Sequence, residues 1–222
     1  MGRIIVIDGT DGSGKQTQAT LLYENLKKMG YNVKKLSFPN YDSISSGPVK
    51  MYLAGELCET ANEFDAYQAS SLFAVDRLCT MTREKEFLDN GGILVLDRYV
   101  QANMIHQTGK ITDNAEKDKF LDWLDNLEFK TLKLPRADLV LFLDVPVEVS
   151  QKLAIARKDF KTGKKKDIHE QDKNHLTNAY NAAKYVAAKY DWKTINCIDK
   201  NGNLKPIDEI QNLVFDQVKK CL

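Results

Sequence analysis

The chain alternates short runs of β-branched and aliphatic residues with longer stretches of helical periodicity, and this alternation constrains its fold more than any single motif. The runs predict five strands, at residues 4–8, 32–38, 93–97, 139–144 and 194–199. Apolar residues at helical spacing predict six helices, at residues 15–29, 64–89, 115–127, 147–158, 168–190 and 206–220. Strands separated by helices pair in parallel through right-handed crossovers. Three of the runs are apolar almost throughout, as strands covered on both faces are. We therefore predict a three-layer α/β fold around a central five-stranded parallel sheet.

Length and charge limit the classes of protein that this chain can belong to. It has 222 residues without an internal repeat or a Pro/Ser-rich linker, so we expect one domain spanning residues 1–222. The formal net charge is +1, which gives no electrostatic reason to expect nucleic acid or a membrane surface as a partner. The longest apolar run, residues 139–143, is far shorter than a membrane span.

The cysteines and the first residues both favour a cytoplasmic location. The four cysteines form no C-x-x-C pair and have no histidine at metal-ligand spacing, so we expect reduced thiols. The chain starts on a short apolar run that leads directly into glycines. A signal peptide would need a basic start, a longer apolar core and a small-residue cleavage site.

A glycine-rich loop, GTDGSGKQT, lies between the first predicted strand and the first predicted helix. Gly9, Gly14 and Lys15 fit the pattern G-x-x-x-x-G-K. Glycines allow backbone N–H groups to surround an anion, and the helix N-terminus adds the positive end of its dipole. Lys15 would reach the β- and γ-phosphates of a nucleotide. The predicted ATP-binding residues are Gly9, Thr10, Asp11, Gly12, Ser13, Gly14, Lys15, Gln16 and Thr17.

Gln16 occupies the position where this loop usually carries the Ser or Thr that holds Mg²⁺. Thr17 cannot simply replace it, because adjacent helical side chains point about 100° apart. The amide oxygen of Gln16 can serve Mg²⁺ directly or through a water molecule. We therefore predict that the loop uses Mg²⁺ with an altered set of ligands.

Two predicted strands end in an acid after apolar residues, which identifies Asp97 and Asp144 as candidate Mg²⁺ ligands. Asp97 is followed by Arg98, so a metal ligand and a cation for phosphate would share one sheet edge. Asp144 leads into a turn and a helix start, where it can also act as a helix cap. We favour Asp97.

Residues 156–167 contain six basic residues and almost nothing apolar. Such runs are usually solvated loops, and the alternative is a lid that closes over phosphates.

Several segments in order along the chain resemble the thymidylate kinase family. They are GTDGSGK, FPNYDS, SLFAVDR, LDRYVQANMIHQ and LDVPVE. The resemblance implies a P-loop nucleoside monophosphate kinase fold that transfers the γ-phosphoryl group of Mg·ATP to dTMP, and a homodimer. It also favours the interpretation of residues 156–167 as a lid.

The resemblance further implies individual roles at an acceptor site. Asp11 would contact the sugar 3′-hydroxyl, Phe73 would stack on thymine, and Arg77 would reach the base edge. Spacing alone would instead make Phe73 a core residue and Arg77 a surface residue. The implied dTMP-binding residues are Asp11, Phe38, Tyr41, Phe73, Arg77, Arg98, Asn103, His106 and Gln107.

The implied catalytic residues are Lys15, Asp97, Arg98 and the lid arginine Arg157, with Gln16 and Asp97 as metal ligands. Arg98 would grip the acceptor phosphate. Phosphoryl transfer depends on positioning and charge stabilisation, so we expect no protein nucleophile.

The chain departs from the family pattern near the sugar and the base. Ala102 stands where a Ser is frequent, and His106 and His169 stand at tyrosine positions. These changes affect the expected preference for deoxyribose over ribose but not the reaction class. His175 is expected to be structural.

Two other functions remain open at this point. One is a kinase of a different nucleoside monophosphate or of a deoxynucleoside, although deoxynucleoside kinases typically carry a Glu-Arg-Ser type motif where this chain has residues 97–99 as Asp-Arg-Tyr. The other is a non-catalytic nucleotide sensor or a regulatory ATPase, which would not need the acceptor residues Phe73, Arg77, Arg98 and Asn103.

Overall fold

A computed structural model describes residues 2–60, 63–158 and 174–222, with only the backbone described for 154–158. Its centre is a sheet of five parallel strands in the order β2-β3-β1-β4-β5. The strands are β1 (Arg3–Asp8), β2 (Val33–Ser37), β3 (Ile93–Asp97), β4 (Leu139–Asp144) and β5 (Lys193–Asn196). The predicted five-stranded parallel sheet is confirmed.

The last strand is shorter than predicted. It ends at Asn196, and beyond it Ile198 forms an isolated antiparallel bridge with Leu204. The chain therefore turns back on itself where the sequence pattern predicted three further strand residues.

Helices cover both faces of the sheet. They are α1 (Lys15–Lys28), α2 (Gly47–Leu53), α3 (Ala66–Asp89), α4 (Val100–His106), α5 (Asn114–Asp125), α6 (Val147–Lys158), α7 (His175–Lys189) and α8 (Ile207–Val218). Short 3-10 turns lie at Ile44–Ser46 and Thr108–Lys110, and a π-helical segment spans Asn126–Thr131. The sequence pattern missed α2 and α4 because seven residues are too few to show helical periodicity.

The core has two large apolar clusters, one on each face of the sheet, and a small third cluster of Tyr52, Cys58 and Ala69. Alternate residues of a strand point to opposite faces, so Val6 packs in one cluster while Ile5 and Ile7 pack in the other. The Val6 cluster includes side chains of α4, α5 and α7, and the Ile5 cluster includes side chains of α1 and α8. This arrangement confirms the predicted three layers.

Parallel pairing brings the carboxyl ends of the strands to one edge. Asp97 pairs in register with Ile7 on one side and with Ser37 on the other. The loops that follow β1, β2 and β3 therefore meet at this edge, which is where open α/β sheets bind ligands. Within residues 2–60, 63–158 and 174–222, no helix is both long and apolar enough to cross a membrane.

Candidate active site

The glycine-rich loop joins the end of β1 to the start of α1. Gly12 has a φ of 82°, and a Cβ atom there would lie 2.3 Å from the backbone oxygen of Ser150 in α6. Gly14 has a φ of 85° at the residue that precedes α1. Only glycine adopts such conformations without strain, so the glycines permit both the tight turn and the close contact with α6.

Lys15, the first residue of α1, is buried against this loop. Its Nζ atom donates a hydrogen bond to the backbone oxygen of Thr10 at 2.7 Å. Burial and the nearby Arg98 lower the Lys15 pKa to about 8, although the surrounding carboxylates oppose that shift. A bound phosphate would favour the charged form of this lysine.

Asp8 is a buried acid at this site that the sequence argument overlooked. One carboxylate oxygen accepts a hydrogen bond from the Gly9 N–H at 2.8 Å, and the other has no hydrogen-bond partner among the described residues. Burial raises its pKa to about 6, despite the opposing charges of Arg98 and Lys15. The signal was present in the sequence, because Asp8 ends an apolar strand just as Asp97 does.

Arg98 follows β3 in an uncommon backbone conformation. Its φ is 67°, in the left-handed region that few non-glycine residues adopt. Its guanidinium donates hydrogen bonds to the Asp11 carboxylate and, at 2.7 Å, to Nε2 of His106. Partial desolvation acts to raise the Asp11 pKa, but Arg98 and Lys15 outweigh it and hold that pKa well below its usual value. Backbone strain of this kind is often found at functional sites.

A cavity of about 390 Å³, here called the loop cavity, lies over the glycine-rich loop. It is lined by Asp11, Gly12, Ser13, Gly14, Lys15, Gln16, Thr17, Gln18, Asp97, Arg98, Leu153, Leu204, Ile207 and Ile210. Seven of the nine predicted ATP-binding residues lie on its wall, together with both predicted metal ligands. Gly9 and Thr10 do not line it.

The loop cavity suits Mg²⁺ that is bound together with phosphates. The described residues contain no cluster of three or more His, Cys, Asp or Glu side chains that could hold a metal ion. Asp97 and Gln16 offer a carboxylate and an amide oxygen on the same wall. Mg²⁺ characteristically takes one or two such ligands and completes its shell with phosphate oxygens and water.

Asp144, the alternative candidate, does not line the loop cavity. Its carboxylate accepts a hydrogen bond from the Tyr180 hydroxyl at 2.8 Å and faces a separate depression beside Trp192. This position favours Asp97 as the metal ligand.

A second cavity of about 260 Å³, the side pocket, lies next to the loop cavity. All nine of the predicted dTMP-binding residues line it. The full lining is Asp11, Ser37, Phe38, Pro39, Tyr41, Leu53, Phe73, Arg77, Arg98, Tyr99, Ala102, Asn103, His106, Gln107 and His175. Asp11 and Arg98 line both cavities, so these two residues mark the boundary between them.

Aromatic rings form the apolar part of the side pocket. The Phe38 ring is buried against Tyr99, with ring centroids 5.6 Å apart. Phe73 is half-buried and meets Tyr52 edge-on at 6.2 Å. Tyr41 is largely exposed at the entrance. A flat base that enters the pocket would find aromatic surface on its walls.

Arg77 lies inside the protein, which corrects the surface position that helical spacing alone implied. It is 2% exposed and forms two hydrogen bonds to the fully buried carboxylate of Glu128, one of them from Nε at 3.2 Å. The pair uses Nε and Nη2, so Nη1 is not engaged by Glu128, and Arg77 also lines the side pocket. Glu128 belongs to the π-helical segment, and no sequence motif pointed to it.

Two amides of α4 and the turn after it complete the wall. The Asn103 side chain donates to the Ser70 backbone oxygen at 3.2 Å. The side-chain oxygen of Gln107 is buried and has no hydrogen-bond partner in the described part of the chain. Buried polar atoms are usually paired, so Gln107 offers an acceptor to a bound molecule.

His175, expected to be structural, lies at the side pocket beside His106. The two rings are nearly parallel, at 9°, with centroids 5.3 Å apart, and His106 Nδ1 is 3.2 Å from His175 Nε2. His175 is the first residue of α7, which packs against α4. One histidine alone carried no signal in the sequence, because its partner lies 69 residues away.

Some predictions fall outside the described residues. These are the Arg157 side chain, His169 and the part of the predicted lid over 159–167. A larger cavity of about 490 Å³ opens at the opposite edge of the sheet, beside Arg3 and Ile4 at the start of β1. It shares no lining residue with the loop cavity or the side pocket.

A glycine-rich loop at the start of a helix, next to a second pocket lined by arginines and aromatic rings, defines a phosphotransferase of the P-loop nucleoside monophosphate kinase class. The family model described as thymidylate kinase matches residues 7–207. The chain therefore belongs to the thymidylate kinase family.

Individual relatives agree with this assignment. A thymidylate kinase from Plasmodium falciparum is 28% identical over 99% of this chain and 90% of its own length. One from Mycobacterium tuberculosis is 29% identical over 76% of this chain and 78% of its own length. A solved thymidylate kinase structure from Candida albicans has a TM-score of 0.72 and 20% identity, and the match covers 99% of this chain and 92% of that one. The last comparison supports the fold.

Proposed function

We propose that this protein transfers the γ-phosphoryl group of Mg·ATP to dTMP, forming dTDP and ADP for dTTP biosynthesis. The observation that carries the proposal is the shared wall of the two cavities. A phosphate-binding loop and an aromatic, arginine-lined pocket meet at Asp11 and Arg98. Donor and acceptor phosphates bound on the two sides would therefore approach each other at these residues.

On the donor side, the loop N–H groups and Lys15 hold the phosphates of ATP. The loop surrounds an anion with backbone dipoles, and Lys15 adds a positive charge from a buried position. Asp97 and Gln16 would hold Mg²⁺, directly or through water. The ion would supply positive charge that neutralises the charge developing during transfer.

On the acceptor side, the pocket distinguishes a thymine nucleotide by shape and by hydrogen bonding. Phe73 stacks on the base and Arg77, held by Glu128, donates to an oxygen at the base edge. A guanidinium has no acceptor, so a base that presents an amino group at that position is disfavoured. Asn103 in α4 and Gln107 immediately after it contact the base.

Arg98 binds the acceptor phosphate and Asp11 contacts the sugar. The guanidinium of Arg98 is already held by Asp11 and His106, so it loses little freedom when phosphate binds. Arg157 and residues 156–167 close over the transferring phosphoryl as a lid within the single domain of residues 1–222.

The decisive experiment is a coupled turnover assay with dTMP, dUMP, dCMP, GMP and thymidine as acceptors. We expect dTMP to be the best, and dUMP to lose about 10- to 100-fold in kcat/KM because one methyl group is missing from an apolar pocket. Faster turnover of GMP or thymidine would identify another kinase. ATP hydrolysis without transfer would indicate a regulatory ATPase, and ATP binding without either reaction a nucleotide sensor.

We also propose a cytoplasmic homodimer. The dimer is proposed because members of the family are usually homodimers. The cytoplasmic location is supported by four free cysteines. Sedimentation analysis of the purified chain tests the dimer, since a monomer at assay concentrations would contradict it.

A further inference from the structure

Four polar side chains form a continuous series at the boundary of the two cavities. His175 faces His106 at 3.2 Å, His106 faces Arg98 at 2.7 Å, and Arg98 bonds to Asp11. The series runs from the start of α7, through α4 and the residue after β3, to the glycine-rich loop. It therefore connects an element that carries none of the predicted site residues to the residue proposed to grip the acceptor phosphate.

The chemistry of these groups determines which nitrogen carries each proton. A guanidinium can only donate, so Nε2 of His106 must accept from Arg98. The His106 proton is then on Nδ1, from which it donates to Nε2 of His175. His175 Nε2 must accept, so both imidazoles are neutral in this arrangement.

Packing restricts the orientation of the His106 ring. The two rings are nearly parallel, and His175 is almost completely buried against α4. If the His106 ring turned away from His175, Arg98 would lose its nitrogen acceptor. Arg98 itself has a strained backbone, with a φ of 67°, and such a conformation persists only where its surroundings hold it.

We propose that His175 is a positioning residue for the acceptor phosphate: it holds the tautomer and ring orientation of His106, which in turn holds the Arg98 guanidinium in the side pocket. This inference rests on the proposed function of that pocket. His175 also lines that pocket, and its proposed role is to act through His106. It supplies one hydrogen-bond acceptor at Nε2 to a ring that lies nearly parallel to its own.

The pocket contains other charges that act on this series. The Asp11 carboxylate favours a positive charge on the two histidines, whereas the Arg98 and Arg77 guanidiniums disfavour it. Tyr41 also lines the pocket. The acceptor phosphate also titrates near neutral pH. Substitution at constant pH therefore tests the proposal more directly than a pH profile.

The informative pair of substitutions is His175→Leu and His175→Gln. Leucine removes the acceptor, whereas the glutamine side-chain oxygen can accept where Nε2 does. For His175→Leu we expect kcat/KM for the best acceptor to fall about 3- to 10-fold, the range for one lost hydrogen bond, with KM for ATP within about twofold. His175→Gln should stay within about twofold of the wild type. The control is Asn181→Leu, an exposed position on the same helix, which should change neither constant.

A double-mutant cycle with His106→Phe tests whether the effect passes through His106. If it does, His175→Leu should have no additional effect on acceptor kcat/KM in the His106→Phe background. An equal loss in both backgrounds, or no loss in the wild-type background, would overturn the proposal. The proposal would also be overturned if His175→Gln lost as much acceptor kcat/KM as His175→Leu while both variants kept the wild-type melting temperature.

The proposed function and this inference fail in different ways. If dTMP is not the acceptor, the wild-type substrate panel shows that before any variant is made. The His175 series is then measured with whichever acceptor reacts best.

Discussion

The loop cavity and the side pocket lie next to each other but are built in opposite ways. The loop cavity is lined mainly by eight consecutive residues, 11–18, at the end of the glycine-rich loop and the start of α1. The side pocket depends on side chains from the segments after β2 and β3 and from α3, α4 and α7. Partners far apart in sequence hold several of those side chains. A local sequence motif can therefore predict the loop cavity, whereas the side pocket forms only when distant segments come together in the folded chain.

The largest expected effect comes from the ion pair behind the side pocket. Glu128→Gln leaves the buried Arg77 charge without its counterion, and we expect it to lower the free energy of unfolding by about 3–5 kcal/mol. Asp125→Asn is the matched control, because Asp125 also binds an arginine, Arg136, through two hydrogen bonds, at 2.8 and 2.9 Å, but near the surface. It should cost about 0–1 kcal/mol.

Chemical denaturation of both variants measures this contrast. Equal losses would mean that burial does not decide the strength of the pair. A stable Glu128→Gln protein that discriminates dTMP from dCMP as well as the wild type does would show that Glu128 is not needed to orient Arg77.

The next effect concerns the loop cavity. Lys15→Ala removes a charge aimed at the transferring phosphoryl group, and we expect kcat to fall roughly 10²–10³-fold, as when a preorganised donor is deleted. KM for dTMP should change little because the side pocket is intact. Lys28→Ala, at the exposed end of the same helix, is the control and should retain wild-type turnover.

A smaller effect depends on pH and tests the electrostatics of the loop. The Asp8 pKa is about 6 in the folded protein against 3.8 for an unperturbed aspartate, so burial of the charged form costs stability once both states are ionised. Asp8→Asn can keep the bond to the Gly9 N–H and removes that cost. We expect the variant to gain roughly 1–3 kcal/mol over the wild type at pH 7–8.

The sign of this pH dependence is specific. The gain should shrink as pH falls through about 6 and vanish below the unfolded-state value of 3.8, where the wild-type carboxyl is protonated in both states. Urea denaturation at pH 5 and pH 8 measures it. A gain that is larger at pH 5 than at pH 8 would contradict the assigned cause.

The smallest effect should come from the metal ligand. Gln16→Ala should reduce turnover less than Lys15→Ala does, because water can occupy the vacated Mg²⁺ position, and the loss should shrink as Mg²⁺ is raised. Gln16→Thr restores the usual hydroxyl and should change the Mg²⁺ affinity while KM for dTMP stays the same. Thr17→Ala is the control, and any change in its turnover should not depend on the Mg²⁺ concentration. If Gln16→Ala leaves turnover and Mg²⁺ dependence untouched, Asp97, phosphates and water hold the ion without Gln16.

The two sites also differ in how far the sequence could predict them. The glycine-rich loop and strand-terminal Asp97 were evident from their position between regular elements, and Asp8 could have been found by the same rule. For the side pocket, the family resemblance supplied the residues; spacing alone put Arg77 on the surface. Glu128 and His175 had no sequence signal, because each acquires its partner through packing across 51 and 69 residues respectively.

The sequence by itself determined the α/β architecture, the parallel sheet and the phosphate loop. These depend on short-range patterns: apolar runs, helical spacing, and glycines at positions that need left-handed backbone. The tertiary structure decided the short helices α2 and α4, the burial of Arg77 against the π-helical segment, and the His175–His106–Arg98 series. Contacts between distant elements determine the burial and hydrogen-bond partner of a polar side chain, and these features are not encoded in any local window of the sequence.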